Sequence, residues 1–233
     1  MTSIEVEGHI SKFDSEIKLE SSNASFDFCF NYFQSFRDAG QINEIASSSN
    51  LETSCLHLSA YLAAWGMYRG SARLGGKSIN AFVKLVELVA NSERVLWEID
   101  VDRYSAENVE RLIHAEFAIG RCLGEQELAN PNDPSRILTT KIMLGVFGNV
   151  PAFDNYFCQG CSLVGIPHTF SAKALVGISE FYVTHKLVFD QCRRNTLTFA
   201  PSALPPRGYT NAKLVDMALF NAGFFAENPK ARV

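Results

Sequence analysis

An all-α, multi-helix domain is the fold class this sequence predicts, and three observations carry the prediction. Apolar residues recur at helical spacing in one segment after another. Most of these segments begin at Ser, Thr or Asp, and several end at Gly, the residues that start and stop helices. Alternating strand patterns are nearly absent, and the connectors are short and polar. A chain of 233 residues can bury a sizeable core as one domain or as two helical lobes around a cleft. We expect one α-helical domain over 1–233, with the polar stretch 124–134 as the best lobe boundary.

Residues 1–20 alternate only weakly (Ile4, Val6, Ile17, Leu19) and read as short strands or an irregular arm. A helix follows over Ser21–Ala39, with Phe26, Phe30, Phe33 and Phe36 on one side and Gly40 as its stop. Leu51–Arg69 is apolar on nearly every face and rich in small residues, so Leu51–Tyr68 is expected to be the most buried long helix. Further helices are predicted over Ser78–Asn91, from Ser105 to about Leu123, and from Ser171 to about Gln191. Trp97–Tyr104 reads as a connector and Thr198–Gly208 as a Pro-rich loop. Asp133 and Pro134 place a capping carboxylate before a proline at the first helical position, opening a mostly apolar helix that contains Lys141. Gly148 stops that helix, and Pro151 holds Val150 extended. The chain closes with a helix over Thr210–Phe225, capped by Thr210.

A hydrophobic content of 47% with 20% charged residues describes a folded chain rather than a disordered one. Eighteen phenylalanines imply an aromatic core or an aromatic-lined pocket. The net charge of −4 supplies no general attraction for nucleic acid, so a DNA partner would need a local basic patch. No apolar run approaches the length of a membrane span, and the polar, acidic N-terminus lacks the pattern of a signal peptide. The six cysteines are therefore expected as reduced thiols in the cytoplasm. Cys158-x-x-Cys161 has His168 downstream but no second ligand pair, so no metal is expected. Phosphate-loop, dinucleotide-binding, zinc-protease and nucleophile-elbow motifs are absent, and no cofactor is implied.

Two features remain. One is Asp154, set after a Pro-bearing turn between two apolar helices; a carboxylate there is costly unless it caps the next helix or does chemistry. The other is the basic turn Tyr68-Arg69-Gly70-Ser71, Arg73, Gly75-Gly76-Lys77, with Arg193-Arg194 as a second basic point. That turn reads either as a helix end whose cations suit the dipole or as a phosphate-contacting loop.

The run KIMLGVFGNVPAFD, Lys141 to Asp154, resembles the catalytic part of the helix–hairpin–helix DNA glycosylases, in which a helix leads through a turn to an essential aspartate. The similarity covers about 25 residues, and the family's glycine hairpin upstream of the helix is absent from DPSRILTTK. The sequence also looks like a family of uncharacterised bacterial proteins, which implies no activity. The glycosylase resemblance implies a monofunctional enzyme with Asp154 as the catalytic carboxylate and Lys141 as a second catalytic residue. Its partner would be double-stranded DNA carrying a damaged or modified base. Arg69, Gly70, Ser71, Arg73, Lys77, Arg193 and Arg194 would hold phosphates. Tyr61, Trp65, Tyr68, Phe153 and Tyr156 would form the base pocket, with Asn155 as its polar reader. The competing expectation is a helical interaction protein of a toxin–antitoxin or defence system, in which Asp154 only caps a helix.

Overall fold

Val6, Ile10 and Phe13 share one face at helical spacing, and on that face the first helix forms, α1 (Val6–Ser15), so residues 6–15 are neither strand nor irregular arm. The computed structural model describes residues 5–69, 74–124, 134–199 and 206–232. Among these, ten α-helices account for the regular structure, joined by short 3₁₀ turns. The only β-type pairing among them is the isolated bridge between Asn195 and Gly208.

After α1 come α2 (Ser25–Asp38), α3 (Leu51–Ala64), α4 (Val83–Ala90) and α5 (Ala106–Cys122). The phenylalanine stripe of α2 faces inward as its spacing predicts, with Phe26, Phe30 and Phe33 buried. The chain continues as α6 (Pro134–Val146), α7 (Asn155–Leu163), α8 (Ala172–Thr184), α9 (Lys186–Gln191) and α10 (Asn211–Glu227). The single helix expected over 171–191 is broken at His185 into α8 and α9. Several starts follow sequence logic: Ser105, Ser171 and Thr210 accept hydrogen bonds from the backbone N–H three residues on, at 3.2, 3.3 and 3.2 Å. Asp133 and nearly all of the expected lobe boundary lie outside the described residues.

Among the described residues α10 buries more side chains than any other helix, so the segment beginning at Leu51 is not the most buried. Thirteen of the residues of α10 are buried, whereas α3 turns Glu52, Thr53, Leu56, Ala60 and Ala63 outward. Two devices fix α10. At its start, Asp100 accepts from the N–H groups of Asn211 and Ala212 at 2.7 and 2.8 Å, supplementing the Thr210 cap. Along its length it lies directly against α7. A Cβ on Gly223 would collide with the Tyr156 carbonyl, and one on Gly160 with the Leu219 carbonyl. Helix α1 packs on α10 from another side, and α6 packs against α2, α3 and α5. One contiguous apolar core runs from Val6 to Leu219. No helix among the described residues is long and apolar enough to cross a membrane.

Candidate functional site

Helix α6 carries Lys141 into the interior, where the side chain is 4% exposed. The helix ends at Gly148, whose φ of +69° suits glycine, and where a Cβ would strike the ring of Phe30 and the methyl of Thr210. The chain then passes through Val150, Pro151, Ala152 and Phe153, all buried, and delivers Asp154 as the N-cap of α7. Asp154 Oδ1 accepts from the Phe157 N–H at 3.1 Å, and Oδ2 accepts from the Lys141 ammonium at 2.9 Å. The Asp154 side chain is 15% exposed, so part of it reaches the surface.

A second pair lies beside the first. Lys213 Nζ donates to Asp216 Oδ2 at 3.0 Å, both side chains being buried on α10. Asp216 Oδ1 accepts from the Ala152 N–H at 3.0 Å, in the turn that bears Asp154. Burial pushes the Asp216 carboxyl up, and the Asp154 charge adds to the rise while Lys213 and Lys141 oppose it. The ring of Trp65 joins the two pairs, with Lys141 Nζ 4.9 Å and Lys213 Nζ 5.7 Å from its centroid. Lys213 also lies 4.9 and 4.6 Å from the centroids of Phe13 and Phe26.

The aromatic surroundings coincide with part of the expected base pocket. Trp65 stacks on Phe13 and meets Phe220 edge-on, and Phe220 in turn meets Tyr156. Trp65, Tyr156 and Phe220 are each half-buried, whereas Asn155, the expected polar reader, is exposed. Tyr61 is buried with its ring against Gly145 of α6, where a Cβ would leave too little room. Burial first, then the Asp216 charge, push its phenol up. Phe153 does not join this group: it packs with Phe157 and Phe170 in the core. Tyr68 is half-buried, and its hydroxyl meets Ser59 Oγ at 2.8 Å.

The expected phosphate ligands are less concentrated. Arg69 is exposed at the end of the α3 segment, and Lys77, also exposed, donates to the Leu123 carbonyl at 3.3 Å. Arg193 is held by Asp190 at 2.9 Å and Arg194 by Asp14 at 2.9 Å, so both carry carboxylate partners within the chain. Gly70, Ser71 and Arg73 lie outside the described residues. Cys158 donates its thiol proton to the His168 carbonyl, and burial pushes the thiol up to about 12.

Sequence reasoning missed Lys213 and Asp216. Two opposite charges three residues apart, inside the apolar stripe of the closing helix, were the available signal. Together the two pairs give a partly exposed aspartate, a buried ammonium bonded to it, and aromatic rings around the ammonium groups. No protein-family model matches the chain, and neither a characterised protein nor a solved structure matches it.

Proposed function

We propose that the chain is a DNA glycosylase-like hydrolase that breaks the N-glycosidic bond of a flipped damaged or modified base, with Asp154 as its working carboxylate. The observation that supports this reading is the setting of Asp154. Its two oxygens are held by the start of α7 and by the Lys141 ammonium, which also lies over the ring of Trp65, and the Asp154 side chain keeps 15% of its surface exposed. As the bond from the sugar carbon to the base nitrogen breaks, its electron pair leaves with the base and the sugar becomes oxocarbenium-like. A fixed carboxylate stabilises that cation and takes the proton of the water that attacks the sugar carbon. Lys141 fixes the orientation of the carboxylate, and the aromatic rings supply stacking surfaces for a base taken out of the duplex. In a bacterial cytoplasm the same chemistry serves repair or attack on modified phage DNA.

The experiment is incubation with duplexes bearing damaged and modified bases, followed by alkali, which breaks the strand at abasic sites. Breaks after alkali alone support the reading. Strand cleavage without alkali, or a borohydride-trapped adduct on Lys141, points to lyase chemistry instead. A second reading, a helical interaction protein of a defence or toxin–antitoxin system, is favoured by one observation: the α7 cap and the Lys141 pair give Asp154 a structural task without catalysis. Intact duplexes in every case would leave that reading standing.

A further inference from the structure

We infer that the Lys213–Asp216 pair of α10 is a positioning device that holds the Asp154 turn in place through the Ala152 amide; the inference rests on the reading of Asp154 as the working carboxylate. The turn has little freedom of its own. Pro151 has no N–H to donate, Ala152 donates to Asp216 of α10, and Phe153 donates to Thr140 Oγ1 of α6 at 3.0 Å. The Asp154 N–H closes back on the Ala152 carbonyl at 2.8 Å. Two successive amides are thus tied to side chains on two different helices, and the next residue is Asp154. Asp216 is a dependable reference because α10 cannot slide: Asp100 and Thr210 hold its start and the two glycine crossings seat it on α7.

The pair's burial needs a reason. Apolar residues of similar size often serve stability as well as a buried ion pair does, so charge kept here points to a task that apolar packing cannot perform. An apolar residue at 216 would leave the Ala152 N–H without an acceptor inside the protein. Lys213 completes the device. Enclosed by Phe13, Phe26 and Trp65, its ammonium holds Asp216 Oδ2 and leaves Oδ1 for the turn.

Two double variants isolate the acceptor from the charges. Lys213→Met with Asp216→Asn removes both charges and keeps an amide oxygen facing Ala152, while Lys213→Met with Asp216→Leu removes charges and acceptor together. Amide hydrogen exchange at Ala152 and single-turnover base release, with DNA affinity measured alongside, are the readouts. In the Leu variant Ala152 should exchange about tenfold faster or more while the amides of α7 and α10 stay protected. Base release should fall by a similar factor with DNA affinity unchanged, and the Asn variant should recover both. Equal protection of Ala152 in the two variants overturns the positioning role, as does a loss of protection spread evenly over α7 and α10. If wild-type protein releases no base from any duplex, the reading of Asp154 fails, and the exchange comparison still decides whether Asp216 holds the turn.

Discussion

Asp154→Asn is a mild exchange for a capping residue, because asparagine caps helices about as well as aspartate. The geometry around this residue makes it severe. The carboxylate accepts from Phe157 N–H with one oxygen and from Lys141 with the other, and an amide has only one oxygen to offer. Turned toward Phe157, it points its own NH₂ at the Lys141 ammonium; turned toward Lys141, it gives up the cap, which is worth about 1 kcal/mol. Removing one partner of a buried ion pair costs about 3–5 kcal/mol. With Lys141 4% exposed and Asp154 15% exposed, the lower half of that range applies. We therefore expect a loss of about 3–4 kcal/mol in urea unfolding at neutral pH. Lys141→Met added to Asp154→Asn removes the stranded ammonium and should restore most of the loss, giving a coupling energy of about 2 kcal/mol in the double-mutant cycle. A single-variant loss below about 1 kcal/mol, or a coupling near zero, would refute the description of this pair as buried and mutually dependent.

The glycine crossing offers a packing test: Gly223→Ala forces α10 off the Tyr156 carbonyl and should cost about 1–3 kcal/mol, seen as a lowered melting temperature, whereas an unchanged melt contradicts the close approach. Burial raises Asp27 to about 6 in the folded protein, against backbone and Tyr209 hydrogen bonds and the Lys213 charge that lower it. Since the folded value lies above the unfolded one, its contribution is complete below about pH 4 and is lost as pH rises through about 6. The loss is on the order of 3 kcal/mol, and Asp27→Asn should flatten that part of the stability profile; parallel profiles would contradict it. Arg69→Ala should weaken DNA binding and reduce the salt slope by about one, and an unchanged slope returns Arg69 to a solvated helix end.

How far the sequence could be read depended on how each burial was achieved. Helices that hide a plain apolar stripe behind a polar cap, such as α2 with its phenylalanines or α10 behind Thr210, were legible from spacing and cap chemistry. The place of α10 at the centre was harder to see, because Lys213, Asp216 and Asn221 make it look amphipathic. All three are buried, the first two bonded to each other and Asn221 bonded to the His9 carbonyl. A propensity reading cannot know that a charge will find its partner inside. For α3 the error ran the other way, since small and apolar residues at Ala60, Ala63 and Leu56 face solvent. At the site, Asp154 was visible from the turn that carries it, and its bond to Lys141 thirteen residues back was not. The sequence spacing says nothing about whether two side chains on different helices converge. Phe153 shows the same limit: adjacent to Asp154 in sequence, it points into the core with Phe157 and Phe170.

Single-turnover base release by wild-type protein and Asp154→Asn tests most directly whether the Asp154 carboxylate acts on a sugar cation. Both proteins should be compared on a duplex carrying a base that wild type excises, at a temperature where circular dichroism shows both folded. Base release should fall by orders of magnitude in Asp154→Asn while DNA affinity is kept or strengthened, because the lost charge acts in the transition state. Base release at the wild-type rate by the folded variant would contradict it and leave Asp154 as a helix cap with a buried lysine partner.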